Sequence, residues 1–132
     1  MFLLDTNIIL EYLLDQDKSD EVENFFKRYS PDEMYLSEFS LYSLGIICSH
    51  RGKEDAFLAF VDDTIISSGL RILRLDIQDY VQLVQHQKKF GLDFDDAYQY
   101  SIADKYNLTI VSYDSDFNVT ERKCVTPFEL LR

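Results

Sequence analysis

The sequence predicts an α/β protein, a three-layer α/β/α sandwich built around a mostly parallel sheet of about five strands. Short apolar segments alternate with longer segments in which apolar residues recur at helical spacing. Only two Pro and four Gly are available to build linkers, and 46% hydrophobic residues in a chain of 132 are enough for one sizeable core. We therefore expect a single domain that spans residues 1–132.

The predicted strands are short apolar runs that end in polar residues, as is typical of strands buried on both faces of a parallel sheet. They are expected at residues 2–4, 34–37, 71–75, 108–112 and 124–126. The predicted helices lie between them, at residues 6–14, 18–29, 38–50, 53–68, 77–90 and 94–106. This alternation favours parallel strands with helices on both faces of the sheet.

Asp5 is the first of four acidic residues that stand where a predicted strand ends or a predicted helix begins. It follows the apolar run Phe2–Leu4, and Thr6 and Asn7 come next. In open α/β sheets ligands bind at the carboxyl ends of the strands, which makes Asp5 a candidate site residue. An Asp at this position also serves as a helix N-cap, and the sequence leaves both interpretations open.

Glu38 follows the second predicted strand and opens a segment in which Leu41, Leu44 and Cys48 repeat at helical spacing. A carboxylate in the first turn of a helix gains about 0.3 to 1 kcal/mol from the helix macrodipole. Helix-end electrostatics therefore explains Glu38 as well as a functional role does.

Three acids, Asp93, Asp95 and Asp96, open the helix predicted at residues 94–106. Asp93 and Asp96 are three positions apart and share a helix face, whereas Asp95 is expected to point away from it. An N-cap and a partner for the helix dipole would account for one or two acids better than for three. The cluster therefore indicates a further carboxylate at the site.

Asp114 and Asp116 come just after the β-branched strand predicted at residues 108–112. Their alternation also resembles the start of an EF-hand loop. The sixth and twelfth positions of that loop need Gly and Glu, but the chain has Val119 and Val125 there. A calcium-binding loop is thereby excluded, and both acids stay candidates for a site at the strand ends.

Taken together, these segments resemble the PIN-domain nucleases, and among them the VapC-like ribonuclease toxins of type II toxin–antitoxin systems. The matching motifs, in chain order, are Leu-Leu-Asp5-Thr-Asn, Ser-Glu38, Asp96-Ala and Val-Ser-Tyr-Asp114-Ser-Asp. The resemblance extends over essentially all 132 residues and includes the order and spacing of the elements. It implies a PIN-like fold in which Asp5, Glu38, Asp96 and Asp114 are the catalytic, metal-ligating acids.

The resemblance also implies what surrounds those acids. Asp116 is a candidate fifth metal ligand, and Thr6 and Ser112 would support the ligands from behind. The family more often has Thr where this chain has Ser112, which keeps the hydroxyl group. Asp96 is favoured over its two acidic neighbours because an Ala follows it directly.

Oxygen-rich sites of this kind bind Mg²⁺ or Mn²⁺, and two His and two Cys are too few for a zinc site of the usual type. Two such ions about 4 Å apart would clamp a phosphodiester, with one activating water and the other neutralising the leaving oxygen. The expected function is therefore a metal-dependent endoribonuclease that hydrolyses RNA. The alternative is a catalytically silent PIN-fold domain whose acidic pocket holds a basic protein partner.

The net charge of −11, from 24 acids and 13 bases, is unusual for a protein that binds nucleic acid. RNA contacts would depend on local cations, and the candidates are Arg51 with Lys53, Lys88 with Lys89, and Arg122 with Lys123. The acidic surface also suits a basic protein segment, and the resemblance implies an antitoxin that carries one. It further implies a homodimer.

No apolar run approaches the length of a membrane span, and no basic signal-peptide start precedes the first predicted strand. We expect a cytoplasmic protein in which Cys48 and Cys124 are reduced. His50 and His86 are interpreted as structural or surface residues, because neither has a Ser or Cys partner in a pattern typical of a catalytic triad.

Overall fold

The computed structural model describes all 132 residues and contains one sheet of four strands. The strands are β1 (Phe2–Leu4), β2 (Met34–Ser37), β3 (Arg71–Leu73) and β4 (Thr109–Val111). Their order across the sheet is β3-β2-β1-β4, and every neighbouring pair is parallel. Because β1 and β2 are the central strands, the residues that follow them lie in the middle of one sheet edge.

Seven α-helices surround the sheet. They are α1 (Thr6–Leu13), α2 (Ser19–Arg28), α3 (Glu38–His50), α4 (Glu54–Phe60), α5 (Tyr80–Phe90), α6 (Phe94–Tyr106) and α7 (Pro127–Leu131). Short 3₁₀ segments lie at Pro31–Glu33, Ile77–Asp79 and Ser115–Val119, and a π-helical segment, Val61–Ser67, continues α4. None of the helices has the length and apolar composition needed to cross a membrane.

The core lies on both sides of the sheet because successive side chains of β1 point to opposite faces. Leu3 is buried in one cluster with Leu83 of α5 and Ile102 of α6. Leu4 is buried in a second cluster with Phe25 of α2. Helices therefore cover both faces, and the predicted three-layer sandwich around a parallel sheet is confirmed.

The fifth strand predicted at residues 124–126 is wrong. Val125 makes only an isolated parallel bridge to Val111, because Thr126 already caps the next helix. The Thr126 hydroxyl accepts a hydrogen bond from the backbone N–H of Glu129, and a Pro takes the first helical position. This helix start ends the extended segment before a strand can form.

Other predicted boundaries shift as well. The helix predicted at residues 53–68 is α4 followed by the π-helical segment Val61–Ser67. Four of the first six residues of that segment are β-branched, and such side chains crowd the preceding turn of an α-helix. The strand predicted at residues 71–75 ends at Leu73.

Candidate functional site

Asp5 lies at the carboxyl end of β1, is 8% exposed, and has both carboxylate oxygens hydrogen-bonded. The backbone N–H of Thr6 donates to Oδ1 at 2.8 Å, and the Ser112 hydroxyl donates to Oδ2 at 2.6 Å. Two longer bonds come from side-chain amides, 3.2 Å from Gln99 Nε2 to Oδ1 and 3.4 Å from Asn7 Nδ2 to Oδ2. Asp5 is thus both the N-cap of α1 and a carboxylate that accepts from four donors.

Three of the candidate acids, Asp5, Asp96 and Asp114, line one cavity of about 280 Å³. We call it the acidic cavity; its full lining is Asp5, Thr6, Asn7, Leu10, Phe39, Ser43, Ile47, Asp95, Asp96, Gln99 and Asp114. Helices α1, α3 and α6 supply its walls together with the turn after β4. Carboxylates from distant parts of the chain therefore meet at one edge of the sheet.

Asp116 forms a cluster with Asp96 and Asp114, in which one carboxylate oxygen of each residue lies within 4.8 Å of the others. The turn after β4 positions this cluster. The Asp114 backbone N–H donates to Ser112 Oγ at 2.9 Å, and the Asp116 N–H donates to Asp114 Oδ1 at 2.9 Å. Ser112 thereby links the Asp5 carboxylate to the backbone of Asp114. Carboxylate oxygens at this spacing can share a hard cation.

Two acids of the acidic cavity, Asp5 and Asp96, resist ionisation. Loss of solvation raises the pKa of Asp5, and the hydrogen bonds from Ser112 and Gln99 offset only part of the rise. Loss of solvation also raises the pKa of Asp96 to about 7, and the negative charges of neighbouring acids, Asp114 first, add to the effect. These groups cannot all stay ionised at neutral pH unless positive charge enters the cavity.

The donor set of the acidic cavity suits a hard divalent cation. Carboxylate, amide and hydroxyl oxygens line it, and it contains no His, Cys, Lys or Arg. Oxygen ligands of these types favour Mg²⁺ or Mn²⁺ over zinc. The absence of a basic side chain leaves a cation as the natural counter-charge for the carboxylates.

Glu38 is not among the residues that line the acidic cavity. Its Oε1 accepts a hydrogen bond from the Tyr42 hydroxyl at 2.9 Å, one turn further along α3. The capping of α3 is done by Ser37, whose hydroxyl accepts from the Ser40 backbone N–H at 3.0 Å. The structure therefore places Glu38 at the carboxyl end of β2 without bringing its carboxylate to the other three, and its role as a ligand stays a prediction.

The acids of α6 differ in part from the sequence expectation. Asp95 lines the acidic cavity beside Asp96, so the expectation that it points away is wrong. Asp93 takes the N-cap position of α6 and lines a separate cavity together with Asp116. The carboxylates of Asp93, Asp95 and Asp96 also form a cluster of their own, so Asp96 is the one acid of this segment that belongs both to it and to the cluster with Asp114 and Asp116.

Sequence reasoning misses several polar residues of the site, and Gln99 and Ser40 are the two that connect its helices. Gln99 lies three positions after Asp96 and so on the same face of α6, and its amide donates to Asp5 and to Ser40 Oγ. Ser40 Oγ lies 2.8 Å from Thr6 Oγ1, which brings the hydroxyl of Thr6 into the same network. The spacing from Asp96 is the one sequence signal that points to Gln99.

His86 is buried and hydrogen-bonded to a Ser side chain, which agrees with the structural role expected for it. Its Nδ1 lies 2.9 Å from Ser101 Oγ, and its ring stacks on that of Tyr100 with the centroids 4.8 Å apart. Both His86 and Ser101 are buried, and burial lowers the pKa of His86. The pair joins α5 to α6 outside the acidic cavity, which is a structural role.

Two of the candidate RNA-contacting cations are already paired with acids. Lys89 Nζ lies 2.6 Å from Glu121 Oε1, and Arg122 Nε lies 3.1 Å from Asp104 Oδ1. These acids reduce the attraction of both cations for a phosphate backbone.

The fold and the site together define a parallel α/β sandwich with a cation-attracting acidic cavity at the ends of its central strands. The sequence model of the PIN domain matches residues 2–123, and the chain belongs to the PIN domain family. No curated protein sequence is significantly similar to it.

Several solved structures share this fold. FitAcB from Neisseria gonorrhoeae is 22% identical, with 97% of this chain and 99% of that chain covered and a TM-score of 0.76. The VapC20 toxin of Mycobacterium tuberculosis is 17% identical, with 96% and 100% covered and a TM-score of 0.76. A toxin–antitoxin complex from Klebsiella pneumoniae is 18% identical, with 96% and 98% covered and a TM-score of 0.74. Identities this low show the shared fold alone.

Proposed function

We propose that this chain is a Mg²⁺- or Mn²⁺-dependent endoribonuclease and the toxin of a toxin–antitoxin pair. The observation that carries the proposal is the meeting of Asp5, Asp96 and Asp114 in one cavity that contains no basic side chain. Carboxylates at this density need cations to stay ionised, and cations held at such a site suit phosphodiester hydrolysis.

The related structures support the same assignment. The VapC20 structure is described as that of a toxin that cleaves the sarcin-ricin loop. That protein and this chain share the PIN fold over nearly their whole lengths. A cleaving toxin with this fold supports a nuclease role here.

At the site, bound ions would supply the reactive chemistry and the acidic residues would hold the ions. When bound, divalent ions supply a water of lowered pKa and offset the charge of a phosphodiester. Asp5, Asp96 and Asp114 would hold them, with Asp116 and Glu38 as further ligands.

Other residues at the acidic cavity would orient the ligands and exclude water. Ser112 fixes the orientation of the Asp5 carboxylate through its 2.6 Å hydrogen bond. Leu10, Phe39 and Ile47 give the cavity an apolar wall, which excludes water on that side and strengthens electrostatic interactions inside.

The test is cleavage of transfer, ribosomal and messenger RNA by the wild type and two isosteric variants, Asp5→Asn and Asp96→Asn. We expect the wild type to cleave at least one RNA when Mg²⁺ or Mn²⁺ is present and none when EDTA is present. Both variants should be inactive in either condition, while Asp17→Asn, at an exposed turn position, should match the wild type. Cleavage that persists in EDTA or in the two site variants would contradict the proposal.

We also propose an antitoxin and a second copy of the chain as partners. FitAB and a VapBC2 complex were each solved with DNA, and the Klebsiella structure is a toxin–antitoxin complex. Exposed apolar side chains support such contacts here. Val81 and Val84 protrude from α5, and the exposed side chains of Tyr42 and Ile46 line a mainly apolar cavity of about 670 Å³ at α3 and α4. A basic antitoxin segment would complement the acidic cavity.

Two measurements check these partners. Light scattering should give a mass near twice the 15.6 kDa of one chain. Co-expression with the protein encoded immediately upstream should yield a stable complex that no longer cleaves RNA. A monomeric mass would contradict the proposed homodimer. An upstream protein that neither binds this chain nor inhibits cleavage would contradict the proposed antitoxin.

A second candidate function is a catalytically silent domain that binds a basic partner in the acidic cavity. The placement of Glu38 outside that cavity and the net charge of −11 favour it. A wild type that is inert on every RNA class, together with Asp5→Asn and Asp96→Asn variants that still bind the upstream protein, would establish this candidate instead.

A further inference from the structure

At the acidic cavity, the side-chain amide of Gln99 forms hydrogen bonds through its nitrogen but not through its oxygen. The residue lines the cavity, yet it is only 2% exposed. Its Nε2 donates to Asp5 Oδ1 at 3.2 Å and to Ser40 Oγ at 2.5 Å. Its Oε1 is the one buried side-chain oxygen or nitrogen in the chain that has no hydrogen-bond partner.

The orientation of this amide follows from its neighbours. An ionised Asp5 carboxylate only accepts hydrogen bonds, so the NH₂ group of Gln99 must face it. Ser40 Oγ accepts from the same NH₂ group and can therefore donate its own proton to Thr6 Oγ1, 2.8 Å away. The oxygen of the Gln99 amide is thus left over by the network.

An unpartnered buried oxygen calls for an explanation. Native proteins pair almost all buried polar atoms, and an exception often marks the position of an ion or an ordered water. Leu or Met would fill a similar volume in a helix without leaving an oxygen unpaired. Packing alone therefore does not account for an amide at this position of α6.

A cation can bind the Asp5 carboxylate only if one of the present hydrogen bonds to it is broken. All four lone-pair positions of the Asp5 carboxylate accept a hydrogen bond, so a cation that binds there must displace a donor. The two longest bonds, and so the weakest, come from the amides of Asn7 and Gln99. The oxygen of Asn7 already accepts from the Tyr113 backbone N–H at 3.3 Å, whereas that of Gln99 is free.

We propose that Gln99 is a metal-site residue whose amide oxygen contacts the divalent ion, directly or through a bound water. In the cation-free protein its Nε2 donates to Asp5. A divalent ion bound at Asp5 would replace that hydrogen bond, and rotation of the amide group would then turn Oε1 towards the ion as a ligand. An amide oxygen is a hard ligand and carries no charge, so it adds coordination without adding to the repulsion among the carboxylates. The inference rests on the metal site of the proposed function.

Calorimetric titration with Mn²⁺ tests this role without relying on activity. The proteins are the wild type, Gln99→Leu, Gln99→Glu and a matched control, Gln85→Leu, which removes an exposed amide from α5. We expect Gln99→Leu to bind Mn²⁺ at least tenfold more weakly, because it has no oxygen to offer. Gln99→Glu keeps an oxygen at the same position and should bind at least as tightly as the wild type, and Gln85→Leu should be unchanged. The rise in melting temperature with Mn²⁺ should follow the same order.

A folded Gln99→Leu variant with wild-type affinity for Mn²⁺ would overturn the role of Gln99 and leave the proposed function standing. If Gln99→Leu does not fold, the Mn²⁺ affinity of Gln99→Glu becomes the test. Binding weaker than that of the wild type would show that an oxygen at this position does not contribute to Mn²⁺ binding. A wild type that binds neither Mn²⁺ nor Mg²⁺ would overturn the proposed function itself, and this inference with it.

Discussion

Asp5 and Glu38 occupy equivalent places in the fold, but the structure treats them differently. Each follows a central strand and opens a helix, yet Asp5 is buried under four hydrogen bonds whereas Glu38 reaches out to Tyr42. The difference lies in the capping. Asp5 is itself the N-cap of α1, which turns its short side chain inward; α3 is capped by Ser37, so Glu38 comes one residue later and is free to turn outward. Position at a strand end thus determines where an acid lies, and the cap determines which way it points.

The largest expected effect contrasts these two acids. Asp5→Asn keeps the cap of α1 but removes the charge at the centre of the acidic cavity, so both RNA cleavage and Mn²⁺ binding should be lost. Glu38→Gln should retain measurable Mn²⁺ binding, because its carboxylate lies outside the cavity. Calorimetry and a cleavage assay on both variants check this. Equal loss of binding in the two would mean that Glu38 turns inward once the ion is present.

Removing the Ser112 hydroxyl should have the next largest effect. It would leave Asp5 Oδ2 with only the long Asn7 bond and the Asp114 backbone N–H without its partner. Loss of such a supporting group typically weakens metal binding by about 10- to 100-fold. Mn²⁺ titration of Ser112→Ala measures the loss, and Ser112→Thr, which restores a hydroxyl, is the matched control. A Ser112→Ala variant that binds like the wild type would show that the hydroxyl does not orient Asp5.

The stability of the cation-free protein should depend on pH through Asp96. Its pKa is about 7 in the fold against an ordinary value of 3.8, so the neutral form is favoured by folding. The contribution is therefore fully present below about pH 4 and is lost as the pH rises through 7. Buried His86, whose pKa is lowered, acts in the opposite direction, so the comparison must be with Asp96→Asn.

Melting temperatures measured in EDTA from pH 4 to pH 8 check this prediction. The wild type should lose stability relative to Asp96→Asn as the pH rises, and Mn²⁺ should abolish that relative loss while it releases protons. A wild type that gains stability over the variant across this range would contradict the assignment of the raised pKa to Asp96.

The smallest effect is expected at Tyr42. Tyr42→Phe removes only an exposed hydrogen bond to Glu38, so the free energy of unfolding should change by no more than about 0.5 kcal/mol. Freed from Tyr42, Glu38 could turn towards the cavity more easily, and Mn²⁺ affinity should stay equal or rise slightly. Chemical denaturation and calorimetry measure the two quantities. A clear fall in affinity would show that Tyr42 positions Glu38 for the ion.

Much of the fold was predictable because its signals are local. Apolar runs that end in polar residues locate β1, β2 and β4, and the strand ends in turn locate Asp5 and Asp114. The extra strand at residues 124–126 is predicted from the apolar character of these residues alone, without regard to a helix-start signal that overlaps them. Thr126, Pro127 and Glu129 form a helix start, which is the stronger signal since it satisfies backbone N–H groups at once.

The polar network behind the acids was not predictable in the same way. Every residue of α6 from Ala97 to Ala103 is buried, so no alternation of buried and exposed positions in this part of the helix marks Gln99 as a site residue. Its contacts with Asp5 and Ser40 span 94 and 59 positions of sequence. Only the folded arrangement brings these groups together. The orientation of the Glu38 side chain was not predictable from the sequence either, because it depends on whether Ser37 or Glu38 caps α3.

If divalent ions hold Asp5, Asp96 and Asp114 together, diffraction from crystals grown with Mn²⁺ will locate the ions beside these side chains. An anomalous difference peak is expected within coordination distance of at least two of these three carboxylates. Carboxylates that stay in the acidic cavity with no peak beside them at saturating Mn²⁺ would contradict this expectation.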